Sequence, residues 1–191
     1  QVRILSPRLT FHRLASEGAP KTRPNRSLRQ AIRAADAAYR CGESFLSDAE
    51  FDALVAELDA FFGNPPEGVS AVILRGAGGH FCSGLDLEEH EQRPPVEGVY
   101  HSRNWHRVAD SIEFGGLPVI SVLTGAVIGG GLEIATSTHV RIAEPDVRFQ
   151  LPEGMRGIFV GGGATVRVGR ILGADRMREM MLTGRNYGAK E

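Results

Sequence analysis

Three consecutive glycines, Gly129 to Gly131, constrain this chain more than any other feature of its sequence. An apolar, β-branched run from Val119 to Leu123 precedes them and indicates a buried strand, whereas the residues from Leu132 onward indicate a helix. Glycine permits positive φ angles and lets a ligand approach the main chain closely. The first N–H groups of a helix also have no partner inside it. The run therefore predicts a strand–turn–helix unit within an α/β core.

Two glutamates follow these glycines. Glu133 lies in the first turn of the predicted helix, and Glu153 comes just after a short predicted strand from Val147 to Gln150. The start of a helix favours negative charge, so one interpretation is an oxyanion-binding turn with two carboxylates delivered to it. The other interpretation is a turn that only packs a strand tightly against a helix. Both stay open here, because glycine motifs at such turns have a high false-positive rate.

A second turn of the same kind lies earlier in the chain. The apolar run from Val69 to Leu74 predicts a buried strand, and a glycine-rich loop follows it. The sequence then reads Ser83-Gly84-Leu85-Asp86, with Asp86 placed to cap a short helix. Two glycine-bearing turns favour an oxyanion hole with two N–H donors. A P-loop is excluded, because no Gly-Lys-Ser/Thr sequence follows the glycines of either turn.

Composition excludes several classes of function. A formal net charge of -1 over 191 residues gives no indication of a nucleic-acid surface. The two cysteines and six histidines lack metal-ligand spacing, so no metal site is expected, and so few cysteines fit a reduced, cytoplasmic setting. The apolar segment from Pro118 to Ala135 contains four glycines and Glu133, which favours a strand and helix of the core over a membrane span.

The chain is expected to divide at residue 27. Residues 1–27 are basic and lack an apolar period, so we expect a poorly ordered extension outside the fold. A transit peptide is the alternative and would imply a mitochondrial protein. Residues 28–191 are expected to form one α/β domain. Its further predicted elements are helices over 28–39, 51–62, 99–114 and 174–182, a helix opened by Gly161 to Gly163 that runs through Arg170, and a strand over 139–144.

Several spaced motifs together resemble one family. They are AVILRGAGGHFCSGLDL, PVISVLTGAVIGGGLEIA, FQLPEGMRGIFVGGGATVRVGRILG and MMLTGR, in that order along the chain. Their sequences and order are similar to those of the crotonase superfamily, also called the enoyl-CoA hydratase/isomerase family. The resemblance implies a spiral of repeated ββα units, truncated here in its C-terminal helical part. It also implies a homo-oligomer, a trimer or hexamer, once those helices are supplied.

The resemblance further implies an activity and a set of site residues. The substrate would be an acyl-CoA thioester whose carbonyl oxygen accepts hydrogen bonds from the N–H groups of Leu85 and Gly130. Glu133 would activate a water molecule and Glu153 would supply a proton, so that water adds across the 2,3-double bond of an enoyl-CoA, as in fatty acid β-oxidation. The turn formed by Ser83, Gly84, Leu85 and Asp86 would lie beside the CoA moiety, with no cofactor other than this coenzyme A of the substrate.

Other functions remain open from the sequence. An enoyl-CoA isomerase and a hydratase-lyase for aromatic acyl-CoA share the same motifs. A truncated, non-catalytic fragment that binds acyl-CoA or a partner subunit is the alternative from another class. A serine hydrolase using Ser83 is disfavoured, because the G-x-S-x-G elbow of such enzymes is missing.

Overall fold

A computed structural model describes residues 9–15, 60–76, 79–84 and 94–191 of the chain. A short 3-10 helix spans Glu153–Arg156. The other elements, in chain order, are β1 (Leu9–Ala15), β2 (Val69–Gly76), α1 (Pro95–Phe114), β3 (Val119–Leu123), β4 (Ala126–Ile128), α2 (Gly130–Ser137), β5 (Val140–Ala143), β6 (Arg148–Gln150), α3 (Ala164–Leu172), α4 (Ala174–Thr183) and β7 (Tyr187–Gly188).

The larger sheet has the strand order β1-β2-β3-β5. Strands β2, β3 and β5 run parallel, and β1 pairs antiparallel with β2, with Phe11 opposite Leu74. Alternate residues of β3, namely Val119, Ser121 and Leu123, are buried, and the residues between them are partly exposed, so one face of this strand lies against the core. The strands predicted from the apolar runs over 69–74, 119–123 and 139–144 are therefore confirmed.

A second, smaller sheet has the order β4-β6-β7. Strands β4 and β6 run parallel, and Cys82 forms a further parallel bridge to Val127 of β4. The chain thus repeats one pattern: a strand of the larger sheet, a short strand of the smaller sheet, then a helix. Because β3, β4 and α2 form one such unit and β5, β6 and the 3-10 helix form the next, the predicted spiral of ββα units is confirmed.

Two boundaries differ from those predicted. Helix α1 begins at Pro95, four residues before the predicted start, because proline is well suited to the first turn of a helix, where its missing N–H costs nothing. Residues 9–15 form β1, which corrects for this segment the expectation that residues 1–27 lie outside the fold. Its backbone pairs with the edge of β2, a long-range pairing that the basic composition of the segment does not indicate.

One buried apolar cluster joins both sheets to the helices. Its fully buried side chains include Leu74 of β2, Ile112 of α1, Leu123 of β3, Val127 of β4, Val168 of α3 and Met180 of α4. Each such side chain stabilises the fold by about 1.5–3 kcal/mol relative to an exposed position.

Three predicted features fall outside the described residues. They are the helix over 28–39, most of the helix over 51–62 (of which residues 60–63 are seen as a last turn), and the short helix at Asp86. In the described part of the chain, no helix combines the length and the apolar character that a membrane crossing requires.

Candidate active site

The glycine turn leads directly into α2. Gly129 has φ 52° and ψ -121°, a conformation that side chains disfavour, and its N–H donates to the carbonyl of Gln150 at 2.9 Å. A Cβ at Gly131 would overlap the carbonyl of Cys82, so this glycine is needed for packing. Within the described residues, the amide of Gly130 has no hydrogen-bond acceptor. Packing thus explains Gly131, and the Gly130 amide remains available to a ligand.

The second glycine turn lies against the first. The N–H of Phe81 donates to the carbonyl of Thr124, just before β4, and the N–H of Cys82 donates to the carbonyl of Ala126 in β4 at 3.0 Å. Gly84 follows with φ +96°, and a Cβ placed on it would lie 3.6 Å from the Gly130 nitrogen. The two turns therefore meet at Gly84 and Gly130. Leu85 and Asp86 are outside the described residues, so the position of the Leu85 amide stays a prediction.

The topology explains why these distant residues meet. The segment 81–82, β4 and β6 lie side by side and run parallel, so their carboxyl ends share one edge of the smaller sheet. Gly84, Gly129 and Glu153 come just after those three ends. Ligands in α/β proteins commonly bind at the carboxyl ends of parallel strands. This edge is therefore the natural position for a binding site.

Glu133 is buried in α2 and both of its carboxylate oxygens accept hydrogen bonds. Its side chain is 4% exposed. Oε1 accepts from the N–H of Gly161 at 2.6 Å, and Oε2 accepts from the indole N–H of Trp105. Burial raises the pKa of Glu133, while these two hydrogen bonds and the charge of His106 act in the opposite direction. Two donors aimed at one carboxylate fix its orientation and offset part of the cost of burying its charge.

Glu153 is also buried, at 6% exposure, but its environment differs. Its Oε2 has no hydrogen-bond partner within the described residues. Burial raises its pKa to about 7, with a smaller rise from the nearby charge of Glu133, against the lowering effects of its own backbone N–H and of Arg156. Its Oε1 lies close to the glycine turn, since a Cβ on Gly129 would be 2.8 Å from it. Near neutral pH this carboxyl group is thus able to carry a proton.

Trp105 is a site residue that sequence reasoning missed. Besides donating to Glu133, its ring lies against the glycine turn, where a Cβ on Gly130 would be 3.1 Å from Cζ2. The sequence did contain an indication of this role, because Trp105 shares a helix face with three apolar residues of α1 and a partly buried indole N–H needs an acceptor. Those buried residues are Val108, Ala109 and Ile112.

The remaining candidates contribute less. His106 is exposed and acts on Glu133 through its charge. Ser83 is exposed and directly precedes Gly84. Across residues 60–76, 79–84 and 94–191, no group of three or more histidine, cysteine or acidic residues has the arrangement of a metal site.

Comparison with known proteins gives a consistent result. The family model for enoyl-CoA hydratase/isomerase matches residues 46–191. A short-chain-enoyl-CoA hydratase of Clostridium acetobutylicum is 36% identical over 143 residues, which are 74% of this chain and 53% of that protein. A peroxisomal bifunctional enzyme of Danio rerio is 34% identical over 76% of this chain and 19% of its own length.

A solved structure agrees with these relatives. A Rhodopseudomonas palustris protein assigned as an enoyl-CoA hydratase is 51% identical, with a TM-score of 0.68, over 73% of this chain and 54% of that one. This chain thus spans about half the length of the hydratases it matches and about a fifth of the bifunctional enzyme.

Proposed function

The chain belongs to the enoyl-CoA hydratase/isomerase family, and on that premise we propose that it adds water across the 2,3-double bond of an enoyl-CoA thioester. One observation carries this proposal. Two buried glutamates, Glu133 and Glu153, lie beside a glycine turn that presents the free amide of Gly130.

The first proposed element is an oxyanion hole. The thioester carbonyl oxygen would accept hydrogen bonds from the N–H groups of Gly130 and Leu85. The free Gly130 amide at the start of α2 supports this, as does the proximity of Gly84, the residue before Leu85, where an added Cβ would lie 3.6 Å from the Gly130 nitrogen. Such donors withdraw electrons from the conjugated double bond and are each worth about 3–4 kcal/mol in known oxyanion holes.

The two carboxyl groups would then divide the proton transfers. Glu133, oriented by two donors, is suited to take a proton from water as its oxygen bonds to C3. Glu153, whose pKa lies at about 7 and whose Oε2 is free among the described residues, is suited to deliver a proton to C2. A general acid works best when its pKa is near the operating pH. The net result is addition of one hydroxyl group and one proton.

The presence of both carboxyl groups favours hydration over isomerisation. Moving a double bond requires a proton to leave one carbon and return to another, for which one carboxyl group suffices. Adding water requires one group to activate the water and one to protonate C2. Glu133 and Glu153 fulfil that requirement, since both are buried beside the glycine turn and the charge of Glu133 raises the pKa of Glu153.

The substrate and partners complete the proposal. The turn from Ser83 to Asp86 would lie beside the CoA moiety, which arrives with the substrate, so no further cofactor is needed. Assembly into a trimer or hexamer and a cytoplasmic location, with mitochondria as the alternative, stay predictions. Sedimentation of the purified protein measures the first of these.

Turnover of crotonyl-CoA tests the proposed function. We expect the wild-type protein to form 3-hydroxybutyryl-CoA, and we expect Glu133→Gln and Glu153→Gln each to lose most of that activity while remaining folded. Glu144→Gln, at an exposed position after β5, is the matched control and should keep the wild-type rate. A folded wild-type protein that binds acyl-CoA without turnover would instead support a non-catalytic fragment, and a 3-enoyl-CoA product would support an isomerase.

A further inference from the structure

Arg167 is a buried cation away from the two glutamates. It lies in α3, with 8% of its side chain exposed, and every part of its guanidinium group donates to a partner. Nη2 donates to Oδ1 of Asp110 at 2.8 Å, Nε donates to Oε2 of Glu113, and Nη1 donates to the carbonyl of Gly162. Burying a charge is costly unless it is paired and hydrogen-bonded. A planar guanidinium group whose three nitrogens all donate hydrogen bonds is held in one position.

The partners of Arg167 belong to two different segments. Asp110 and Glu113 lie on α1, and Gly162 lies in the glycine loop formed by residues 161–163. These are the same two segments that hold Glu133, because Trp105 of α1 donates to one of its oxygens and the amide of Gly161 donates to the other. Arg167 therefore connects the two segments that supply hydrogen-bond donors to Glu133, without contacting the Glu133 carboxylate itself.

The glycine loop fits closely between Arg167 and Glu133. Gly162 has φ +57°, and a Cβ on it would lie 3.0 Å from Nε1 of Trp105 and 3.4 Å from Oε2 of Glu133. A Cβ on Gly163 would overlap Nη1 of Arg167. There is thus little free space on either side of the loop, so a displacement of Arg167 should move the Gly161 amide relative to Glu133.

We propose that Arg167 is a positioning residue for the hydration reaction: by binding Asp110, Glu113 and the Gly162 carbonyl, it holds the Trp105 and Gly161 donors on the Glu133 carboxylate. This inference rests on the proposed function for its kinetic consequences. When Arg167 is lost, the loop and α1 separate, one or both donors leave Glu133, and the carboxylate no longer faces the reacting water. The chemical step slows, and substrate affinity changes less.

Trp105 provides a readout that needs no catalysis. It is the one tryptophan of the sequence, and its indole N–H donates to Glu133, so its fluorescence should report the protonation of that carboxylate. Two other titratable groups act on Glu133, namely His106 of α1 and Glu153 of the 3-10 helix. The titration is therefore made in the Glu153→Gln protein and in its His106→Asn derivative, and the transition that disappears with Glu133→Gln is assigned to Glu133.

The test compares Arg167→Gln with Arg170→Gln, a matched change at an exposed arginine of the same helix. We expect Arg167→Gln to lower kcat by about tenfold or more with a smaller change in KM, as for loss of a hydrogen bond to a charged group. The fluorescence transition should move to higher pH, because Glu133 loses donors that favour its ionised form. Arg170→Gln should change neither quantity.

Arg167→Lys and the pair Asp110→Asn/Glu113→Gln cover the case in which Arg167→Gln does not fold. Both keep a cation at position 167 but weaken the bridge, and both should shift kcat and the fluorescence transition in the same direction by a smaller amount. The proposal is overturned if a folded variant keeps the wild-type kcat and the wild-type transition. It is also overturned if activity falls only in proportion to the folded fraction. If the wild-type protein shows no turnover, the proposed function fails, and the fluorescence transition alone decides the role of Arg167.

Discussion

Replacing the Glu153 carboxyl group by an amide should remove a pH dependence from the stability of the fold. Burial raises the pKa of Glu153 from 4.5 to about 7. Between these values the folded state binds more protons than the unfolded state, so the free energy of unfolding decreases as pH rises through this range. At about 1.4 kcal/mol for each pKa unit, the ionised carboxylate costs about 3 kcal/mol of stability once the pH is well above 7.

Urea unfolding of the wild-type protein and of Glu153→Gln, from about pH 5 to about pH 9, measures this difference. Near pH 5 the Glu153 carboxyl group is protonated in the folded state, so the stability difference between the two proteins should change little with pH there. Toward pH 9 the variant should gain about 3 kcal/mol relative to the wild type, a rise in Tm of about 6–12 °C for a chain of this size. The stability difference between Glu144→Gln and the wild type should not change over this pH range, because Glu144 is exposed. A stability difference that is the same at both ends of the pH range would refute the reasoning.

Three further predictions follow from the same geometry. The kcat for hydration should fall as pH rises through about 7, because Glu153 then loses the proton that it donates; a pH–rate profile that keeps rising would contradict its role as the acid. Trp105→Phe keeps the ring but removes the donor to Glu133, so steady-state kinetics should show kcat about tenfold or more lower in a folded protein, and an unchanged kcat would count against this hydrogen bond. Gly129→Ala should lower the free energy of unfolding, measured with urea, by about 1–3 kcal/mol, because φ is +52° there and the new Cβ would lie 2.8 Å from Glu153 Oε1. Gly98→Ala, at an open position in α1, should instead be neutral or stabilising.

Strands β2 and β3 and helices α1 and α4 could be predicted because each has its own local pattern. Apolar runs indicate β2 and β3, Gly115 marks the end of α1, and Gly173 separates α4 from the helix before it. Strand β4 was not separated from β3, because the chain changes sheet within two residues, at a glycine with φ +52°. Strand β1 was missed because it depends on backbone pairing with a strand more than 50 residues away.

The candidate site was predictable to a similar extent. The glycine run and the two glutamates indicated a possible site, the resemblance to the crotonase superfamily assigned Gly130, Glu133 and Glu153 to it, and the structure brings these three together. Trp105 and Arg167 were not predicted to act there, because their importance comes from partners in other segments. For Trp105 the partner is Glu133, and for Arg167 it is the glycine loop formed by residues 161–163, so no local sequence pattern connects either residue to the site.

The proposal depends most on the Gly130 amide as a donor to the thioester carbonyl. Gly130 is the first residue of α2, where proline is tolerated, so Gly130→Pro deletes this N–H while keeping a helical backbone. Gly130→Ala is the matched control, because it adds the same Cβ against Trp105 but keeps the N–H.

The direct measurement is the carbonyl stretching frequency of a bound, unreactive acyl-CoA, recorded by infrared difference spectroscopy with a ¹³C-labelled thioester. We expect a lower frequency than in water for the wild-type protein and for Gly130→Ala, and a return toward the water value for Gly130→Pro. A carbonyl frequency that is the same in Gly130→Pro and in Gly130→Ala would show that the Gly130 amide does not bind the thioester oxygen.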